Sequence, residues 1–151
     1  MSSLLLQGCS KSKKEMNKPT RAMDVYSGYY FKIIKKAMNE GCFDNQIDIC
    51  ILSAKYGLLE PTDEITTYDY RMDQDRAQEL NEDVVSELEH KFDTKDYQQL
   101  IVNLGQPYQE AVSGIEDRIN GEIVWLSGGL GERGAQLKQL IRDASMAPAE
   151  A

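Results

Sequence analysis

The chain has 151 residues, 41% of them hydrophobic, and a formal net charge of −8, a composition typical of one soluble globular domain. No run of about 18 apolar residues is present, so no membrane-spanning helix and no membrane partner is predicted. The apolar run near the start is too short for a signal peptide, and we expect a cytoplasmic protein. We predict a single domain over residues 1–145 and a disordered tail over residues 146–151.

The three cysteines, Cys9, Cys42 and Cys50, form no CxxC motif and no pair with histidine at metal-binding spacing. Their odd number argues against a disulfide framework, and their spacing argues against zinc. We therefore predict no metal and no cofactor. The negative net charge argues against a broad basic surface for nucleic acid. A local basic region is compatible with that total, because basic residues are frequent between Lys11 and Lys32.

The predicted elements alternate along the chain. Short β-rich runs predict strands at Ser3–Gln7, Ile47–Leu52, Gln99–Leu104 and Glu122–Leu126, and two of these runs are nearly continuously apolar. Apolar residues at helical spacing predict helices around residues 30–37 and 77–88, a third opening near Pro107, and a fourth over residues 131–145. This alternation is typical of a three-layer α/β/α domain with a mostly parallel sheet of about four strands.

Each predicted strand is followed by an unusual loop: QGCSKSKK, SAKYGLLEP, GQPY and SGGLGERG. The carboxyl ends of parallel strands meet at one sheet edge, so we expect these loops to share a site. Local alternatives exist, since the glycines could serve turns and Cys9 could be a small buried residue. The glycines that include Gly128 and Gly129 could hold a phosphate on backbone amides, although no complete nucleotide motif is present.

The second loop carries the most chemistry. Lys55 follows a buried strand, where partial desolvation is expected, and the hydroxyls of Ser53 and Tyr56 lie beside it. Farther on, EITTYDY sets Asp69 between two tyrosines, one of them Tyr68. Lysine, carboxylate and aromatic rings suit a site that holds a planar base and acts on its bond to a sugar. The local alternatives are a surface lysine and a capping aspartate.

Four segments together resemble a known family: CSKSKK, AMDVYSGYYFK, ILSAKYGLLEPTDEITTYDYRM and SGGLG. They are similar to small YaaA-like proteins, often labelled as peroxide stress proteins or as a domain of unknown function. A more distant similarity extends to the base-handling domain of archaeosine synthase and to uracil-DNA-glycosylase-like α/β folds. The resemblance implies base recognition or N-glycosidic chemistry, in a stress-response, phage-defence or DNA-modification setting.

The resemblance also implies a set of site residues. Asp69, Lys55 and Lys11 would be catalytic; the substrate would be bound by Cys9, Ser10, Lys13, Asp24, Tyr26, Ser53, Tyr56, Tyr68, Gly128 and Gly129. Two departures from the family pattern stand out. Val25 replaces a leucine, and the third loop, NLGQPY, lacks the expected small-residue turn, so Tyr108 is left out of the predicted site.

The leading hypothesis is a DNA-glycosylase-like hydrolase whose partner is nucleic acid, in particular DNA, or a nucleotide. Asp69 would stabilise the cationic sugar or position water, lysines would hold phosphate or attack the anomeric carbon, and Tyr26, Tyr56 or Tyr68 would stack on the base. One alternative is a non-catalytic module that binds nucleic acid or a nucleotide during stress. Another is redox sensing through Cys9 beside basic residues.

Overall fold

The computed structural model of the protein describes residues 2–9, 13, 18–66, 68 and 70–142. The strands are β1 (Ser3–Gly8), β2 (Thr20–Arg21), β3 (Ile47–Ser53), β4 (Gly57–Leu59), β5 (Glu64–Ile65), β6 (Gln99–Asn103) and β7 (Glu122–Trp125). The helices are α1 (Ala22–Val25), α2 (Tyr29–Asn39), α3 (Gln74–Thr94), α4 (Gln106–Gln109) and α5 (Leu130–Ile141), with 3-10 turns at Glu110–Val112 and Ile115–Asp117.

The central sheet has five strands in the order β4-β3-β1-β6-β7. Four of them are parallel, and β4 pairs antiparallel to β3 at one edge. The chain passes from β1 to β3 on one side and later returns to β6 on the other side of β1. The strand order therefore reverses between β1 and β6, and ligands of open α/β sheets bind beyond the carboxyl ends of strands at such a point.

Helices cover both faces of this sheet. Successive side chains of a strand point to opposite faces, so Leu5 of β1 packs in the apolar core beneath α2 and α5, whereas Leu4 and Leu6 pack beneath α3. All six residues of β1 are buried, which explains its run of three leucines. The predicted α/β fold, with helices on both sides of a mostly parallel sheet, is confirmed.

The sheet has more strands than the four predicted, and the additional strand comes from a hairpin. The segment SAKYGLL reverses direction after β3, and Gly57 opens β4 with φ +77°, a conformation that favours glycine. Three residues of β4 then pair with the end of β3. A separate two-stranded ladder joins β2 and β5.

Helix positions follow the apolar periodicity closely. Phe31, Ile34 and Ala37 form the buried stripe of α2, and Asp73 caps α3 by accepting a hydrogen bond from the Arg76 amide at 2.8 Å. The helix near Pro107 is a short one, α4, continued by 3-10 turns. The last helix starts at Leu130 and ends at Ile141, short of the predicted 131–145, while residues 143–151, including the predicted tail, lie outside the described residues. No helix in the described part of the chain is long and apolar enough to cross a membrane.

Candidate functional site

The loops after β1 and β6 meet where the strand order reverses. Cys9 directly follows β1, and its Sγ lies 3.1 Å from the Tyr108 hydroxyl, which follows β6 within α4. The Cys9 amide donates to the Leu52 carbonyl at 2.9 Å and so continues the ladder between β1 and β3. Gly8 passes close to β6, since a Cβ there would lie 3.3 Å from Leu104 Cδ2. The Cys9–Tyr108 contact therefore marks the crevice expected for an open α/β sheet.

Ser53, the last residue of β3, organises the turn that follows. Its buried Oγ accepts hydrogen bonds from the amides of Lys55 at 3.2 Å and Tyr56 at 3.1 Å. The same oxygen lies 2.8 Å from the hydroxyl of Tyr68. One serine thus ties the hairpin turn to the segment that carries the predicted YDY motif.

The hydroxyl of Tyr68 is the centre of a three-hydroxyl network with Ser53 and Tyr26. Tyr26 Oη lies 2.6 Å from Tyr68 Oη. Both lone pairs of Ser53 Oγ accept backbone amides, so its proton goes to Tyr68. The buried Tyr26 hydroxyl shares a hydrogen bond with the Tyr68 hydroxyl, in which either oxygen can be the donor. The Tyr68 hydroxyl therefore accepts from Ser53 and, when Tyr26 donates to it as well, can donate its own proton to a ligand.

These hydroxyls are protonated at neutral pH. Burial raises the pKa of Tyr26 from 10.0 to about 12. Burial is also the main reason that the pKa values of Tyr68 and Tyr108 are raised, and the proximity of Cys9 adds to both shifts. The network is therefore a set of hydrogen-bond donors and acceptors, and its tyrosines do not act as bases near pH 7.

Two lysines lie over the ring of Tyr68. Lys13 Nζ is 4.6 Å from the ring centroid, and Lys55 Nζ is 5.9 Å from it and 5.2 Å from the Tyr56 centroid. Ammonium groups at these distances are attracted by the aromatic faces. Lys55 is exposed, so the desolvation predicted for it from the sequence is wrong: the hairpin turn carries it away from the buried strand. The two ammonium groups form a local positive field beside the hydroxyl network.

Tyr56 links the hairpin turn to the segment before Tyr68. Its hydroxyl lies 3.1 Å from Thr66 Oγ1, and this hydrogen bond is the main reason that the pKa of Tyr56 is lowered. The rings of Tyr56 and Tyr68 meet edge to face, with centroids 5.5 Å apart. Tyr56 is 36% exposed and Tyr68 is partly exposed, so both can contact a ligand.

Tyr26 has a different role from the one expected. It is 0% exposed, and its ring stacks on Phe31 with centroids 5.3 Å apart. The expectation that Tyr26 stacks on a base is therefore wrong, because neither ring face is open to a ligand. Its hydroxyl instead positions that of Tyr68.

The structure brings together Cys9, Lys13, Tyr26, Ser53, Lys55, Tyr56 and Tyr68 through the contacts above. The predicted residues Ser10, Lys11 and Asp69 lie outside the described residues. Asp24 accepts a hydrogen bond from Arg21 Nε at 3.0 Å on the surface. Within the described chain, no hydrogen bond or ion pair connects Asp24 to the hydroxyl network.

Gly128 and Gly129 belong to a neighbouring group beyond β7. Gly128 has φ +100°, and the Gly129 amide donates to Glu132 Oε1 at 2.9 Å. The Ser127 amide likewise donates to Gln136 Oε1 at 3.2 Å. The chain's own side chains thus occupy two of the amides that could have held a phosphate.

A cleft of about 350 Å³ lies at the ends of β6 and β7, and its lining includes Trp125, Gly128 and Arg133. Below it, buried Asn103 donates to Gln7 Oε1 and accepts from Arg133 Nε, both at 2.9 Å. The guanidinium of Arg133 also lies over the Tyr30 ring, 5.1 Å from its centroid. These contacts hold Arg133 at the same sheet edge as the hydroxyl network.

Sequence reasoning missed several of these residues. Tyr108 was left out because of the glutamine and proline before it, yet its position after the third strand placed it at the site edge. Asn103 and Arg133 are 30 residues apart in sequence and no local motif links them. No group of three or more metal-binding side chains occurs among the described residues.

Comparisons with known proteins identify the family and the fold. A solved structure titled "Crystal structure of AF0587, a protein of unknown function" is similar with a TM-score of 0.56 and 15% sequence identity. The match covers 93% of this chain and 44% of that protein, so the chain spans less than half of that protein's length. No curated protein matches. A family described as "Family of unknown function (DUF6884)" matches residues 4–141, and the chain belongs to this family.

Proposed function

We propose that the protein is a cytoplasmic, nucleobase-recognising hydrolase of the N-glycosidic bond, acting on a modified base in DNA or a nucleotide. The observation that carries the proposal is the Tyr68 hydroxyl, which is hydrogen-bonded to Tyr26 and Ser53, on a ring that lies near the ammonium groups of Lys13 and Lys55. The YaaA-like and uracil-DNA-glycosylase-like resemblance of the motifs agrees with this assignment.

The aromatic rings and the hydroxyl suit a planar base. Tyr56 and Tyr68 have exposed surface on which a base can pack, and the Tyr68 hydroxyl can donate to a base nitrogen or carbonyl oxygen. Ser53 and Tyr26 hold that hydroxyl in place before a ligand arrives. Such preorganisation lowers the entropic cost of binding.

The lysines suit the anionic part of the same ligand. Two ammonium groups lie near one tyrosine ring, and a phosphate bound beside that ring would be attracted to both. A nucleotide carries both a base and a phosphate, which fits the aromatic and cationic halves of the site.

In the reaction, the bond between the base nitrogen and the anomeric carbon breaks, and the nitrogen keeps the electron pair. A hydrogen bond from Tyr68 stabilises the leaving base, and water adds its oxygen to the anomeric carbon. One water proton goes to the base, and the remaining hydroxyl group stays on the anomeric carbon of the sugar. Asp69, adjacent in sequence to Tyr68, would stabilise the cationic sugar or position the water.

The first experiment measures free base by mass spectrometry after incubation with a panel of modified DNAs, RNAs and nucleotides. Wild-type protein should release one base from at least one substrate. Tyr68→Phe should reduce the rate about 100- to 1,000-fold, because one transition-state hydrogen bond is lost. Absence of any released base over the whole panel would refute hydrolysis.

A second experiment separates catalysis from binding. Asp69→Asn should retain substrate binding and lose turnover. If binding and turnover are both unchanged, Asp69 has no part in the site. If wild-type protein binds a base-containing ligand without turnover, the protein is a binding module and the hydrolase assignment fails.

A third experiment tests a lysine nucleophile. Attack by Lys55 or Lys11 would leave an imine that borohydride converts to a stable adduct. Lys55→Arg and Lys11→Arg, tested separately, identify which amine forms it. Base release without any adduct leaves water as the nucleophile.

A further inference from the structure

Charge is divided between the two faces of the sheet. On one face, α2 carries three lysines and no acidic residue, and α5 carries two basic residues and one acidic residue. On the other face, α3 carries seven acidic and two basic residues. One face of the protein is therefore basic although the net charge of the chain is −8, and we call it the α2–α5 face.

A groove of about 270 Å³ runs between these two helices, and its lining includes Tyr29, Lys36, Gly134, Lys138 and Arg142. The ring of Tyr29 lies against Gly134, where a Cβ would be 2.5 Å from the Tyr29 hydroxyl. Arg142 pairs with Glu40 at 2.7 Å. Lys36 and Lys138 are exposed and form no ion pair with any described residue, so both can meet an external anion.

The groove begins at the edge of the sheet that carries the candidate site. Helices that follow parallel strands start at the carboxyl ends of those strands, so the first residues of α2 and α5 lie at this edge. Lys35 of α2 donates to the Tyr26 carbonyl at 2.7 Å, which ties the helix to the hydroxyl network. Tyr29, 45% exposed, lies at the start of α2, between this edge and the lysines.

We propose that the α2–α5 face binds the phosphodiester backbone of a nucleic acid strand whose base enters the site. The proposal rests on the proposed function and selects a nucleic acid over a free nucleotide as substrate. The 11 residues of α2 extend about 16 Å, the length of about five stacked phosphates at 3.4 Å spacing. The exposed ring of Tyr29 adds a surface on which a base can stack.

The test is fluorescence anisotropy of a labelled single strand, repeated with a duplex, between 50 and 200 mM salt. With about three phosphate contacts, the logarithm of the single-strand binding constant should fall with a slope of about −2 against the logarithm of salt concentration. Lys36→Gln and Lys138→Gln should each reduce that slope by about 0.7 and weaken binding about fivefold at 0.1 M salt.

Lys95→Gln is the matched control. It removes the same charge at the far end of α3, where Lys95 pairs with Asp48, and binding should stay within about twofold of wild type. Equal losses in the control and the groove variants would overturn the proposal. So would salt-independent binding of strands and duplexes, or binding to phosphatidylserine vesicles with none to nucleic acid.

The two proposals fail in different ways. If the groove is right and the hydrolase wrong, salt-dependent binding remains sensitive to Lys36→Gln while no base is released. If the hydrolase is right and the groove wrong, base release proceeds equally in wild-type protein and in both groove variants. Thermal unfolding of each variant should coincide with wild type, since both lysines are exposed.

Discussion

Replacement of Tyr26 by phenylalanine should change stability differently at neutral and alkaline pH. At pH 7 the variant loses one buried hydrogen bond, to Tyr68 Oη at 2.6 Å, and keeps the packing of the ring on Phe31. Such a loss costs about 1 kcal/mol of unfolding free energy. Tyr68 still accepts from Ser53, so the network is weakened and not abolished.

At alkaline pH the stability difference between wild type and Tyr26→Phe should become smaller. Burial raises the folded-state pKa of Tyr26 to about 12, whereas the unfolded chain titrates near 10.0. Between these values the unfolded state binds fewer protons, so the contribution of Tyr26, complete below pH 10, falls as pH rises towards 12. Two pH units correspond to about 2.7 kcal/mol. Tyr26→Phe does not undergo this pH-dependent loss of unfolding free energy, because phenylalanine does not titrate. The variant's stability, about 1 kcal/mol below that of wild type at pH 7, should therefore equal that of wild type near pH 11.

Urea unfolding followed by circular dichroism at pH 7, 9, 10, 10.5 and 11 measures the difference. Tyr70→Phe is the matched control, because it removes a hydroxyl from a tyrosine that is 47% exposed; its stability should follow wild type throughout. A difference between wild type and Tyr26→Phe that stays constant up to pH 11 would show that Tyr26 titrates alike in both states. The reasoning from burial would then be refuted.

Three further predictions concern stability and reactivity. Gly57→Ala should lower the unfolding free energy by about 1–2 kcal/mol, because φ is +77° at this position. The control Gly131→Ala, within a helix, should raise the unfolding free energy by about 0.5–1 kcal/mol. Equal effects of the two substitutions in urea unfolding would contradict this prediction. Asn103→Ala should lower the unfolding free energy by about 1–3 kcal/mol, because Gln7 and Arg133 lose their hydrogen-bond partner. An unchanged unfolding free energy in the same assay would show that this network does not stabilise the fold. Native protein should react with a thiol reagent at Cys9 alone, since Cys42 and Cys50 are fully buried and burial raises the pKa of Cys50. Cys9→Ser should abolish the reaction of the native protein. Rapid reaction of all three thiols would contradict the fold.

The elements that sequence reasoning found are those with long apolar patterns. β1 has three consecutive leucines and β3 a mostly apolar sequence because both faces of the sheet are covered, and α3 shows Leu80, Val84 and Leu88 at helical spacing. β4 was missed because it has three residues and depends on a turn at Gly57. α4 was predicted only as a helix near Pro107, because its four residues carry no periodicity of their own.

The part of the site that was predicted from the sequence is the part that lies at the ends of the parallel strands. Cys9 follows β1 and Ser53 is the last residue of the adjacent parallel strand β3, so their proximity follows from the strand order. The burial of Tyr26 and the exposure of Lys55 could not be read from the motifs, because each depends on how a turn packs after the strands have paired. The pairing of Cys9 with Tyr108 required knowledge that β1 and β6 are neighbours.

The most direct test of the proposed hydrolase is to quantify both reaction products in one reaction. Free base and abasic sugar are measured together on modified DNA or nucleotide, in wild-type protein and in Tyr68→Phe. We predict that wild-type protein forms the two products in equal amounts and that Tyr68→Phe forms both about 100- to 1,000-fold more slowly. Neither product on any substrate, or equal rates in wild type and Tyr68→Phe, would contradict the assignment of base-sugar hydrolysis to this site.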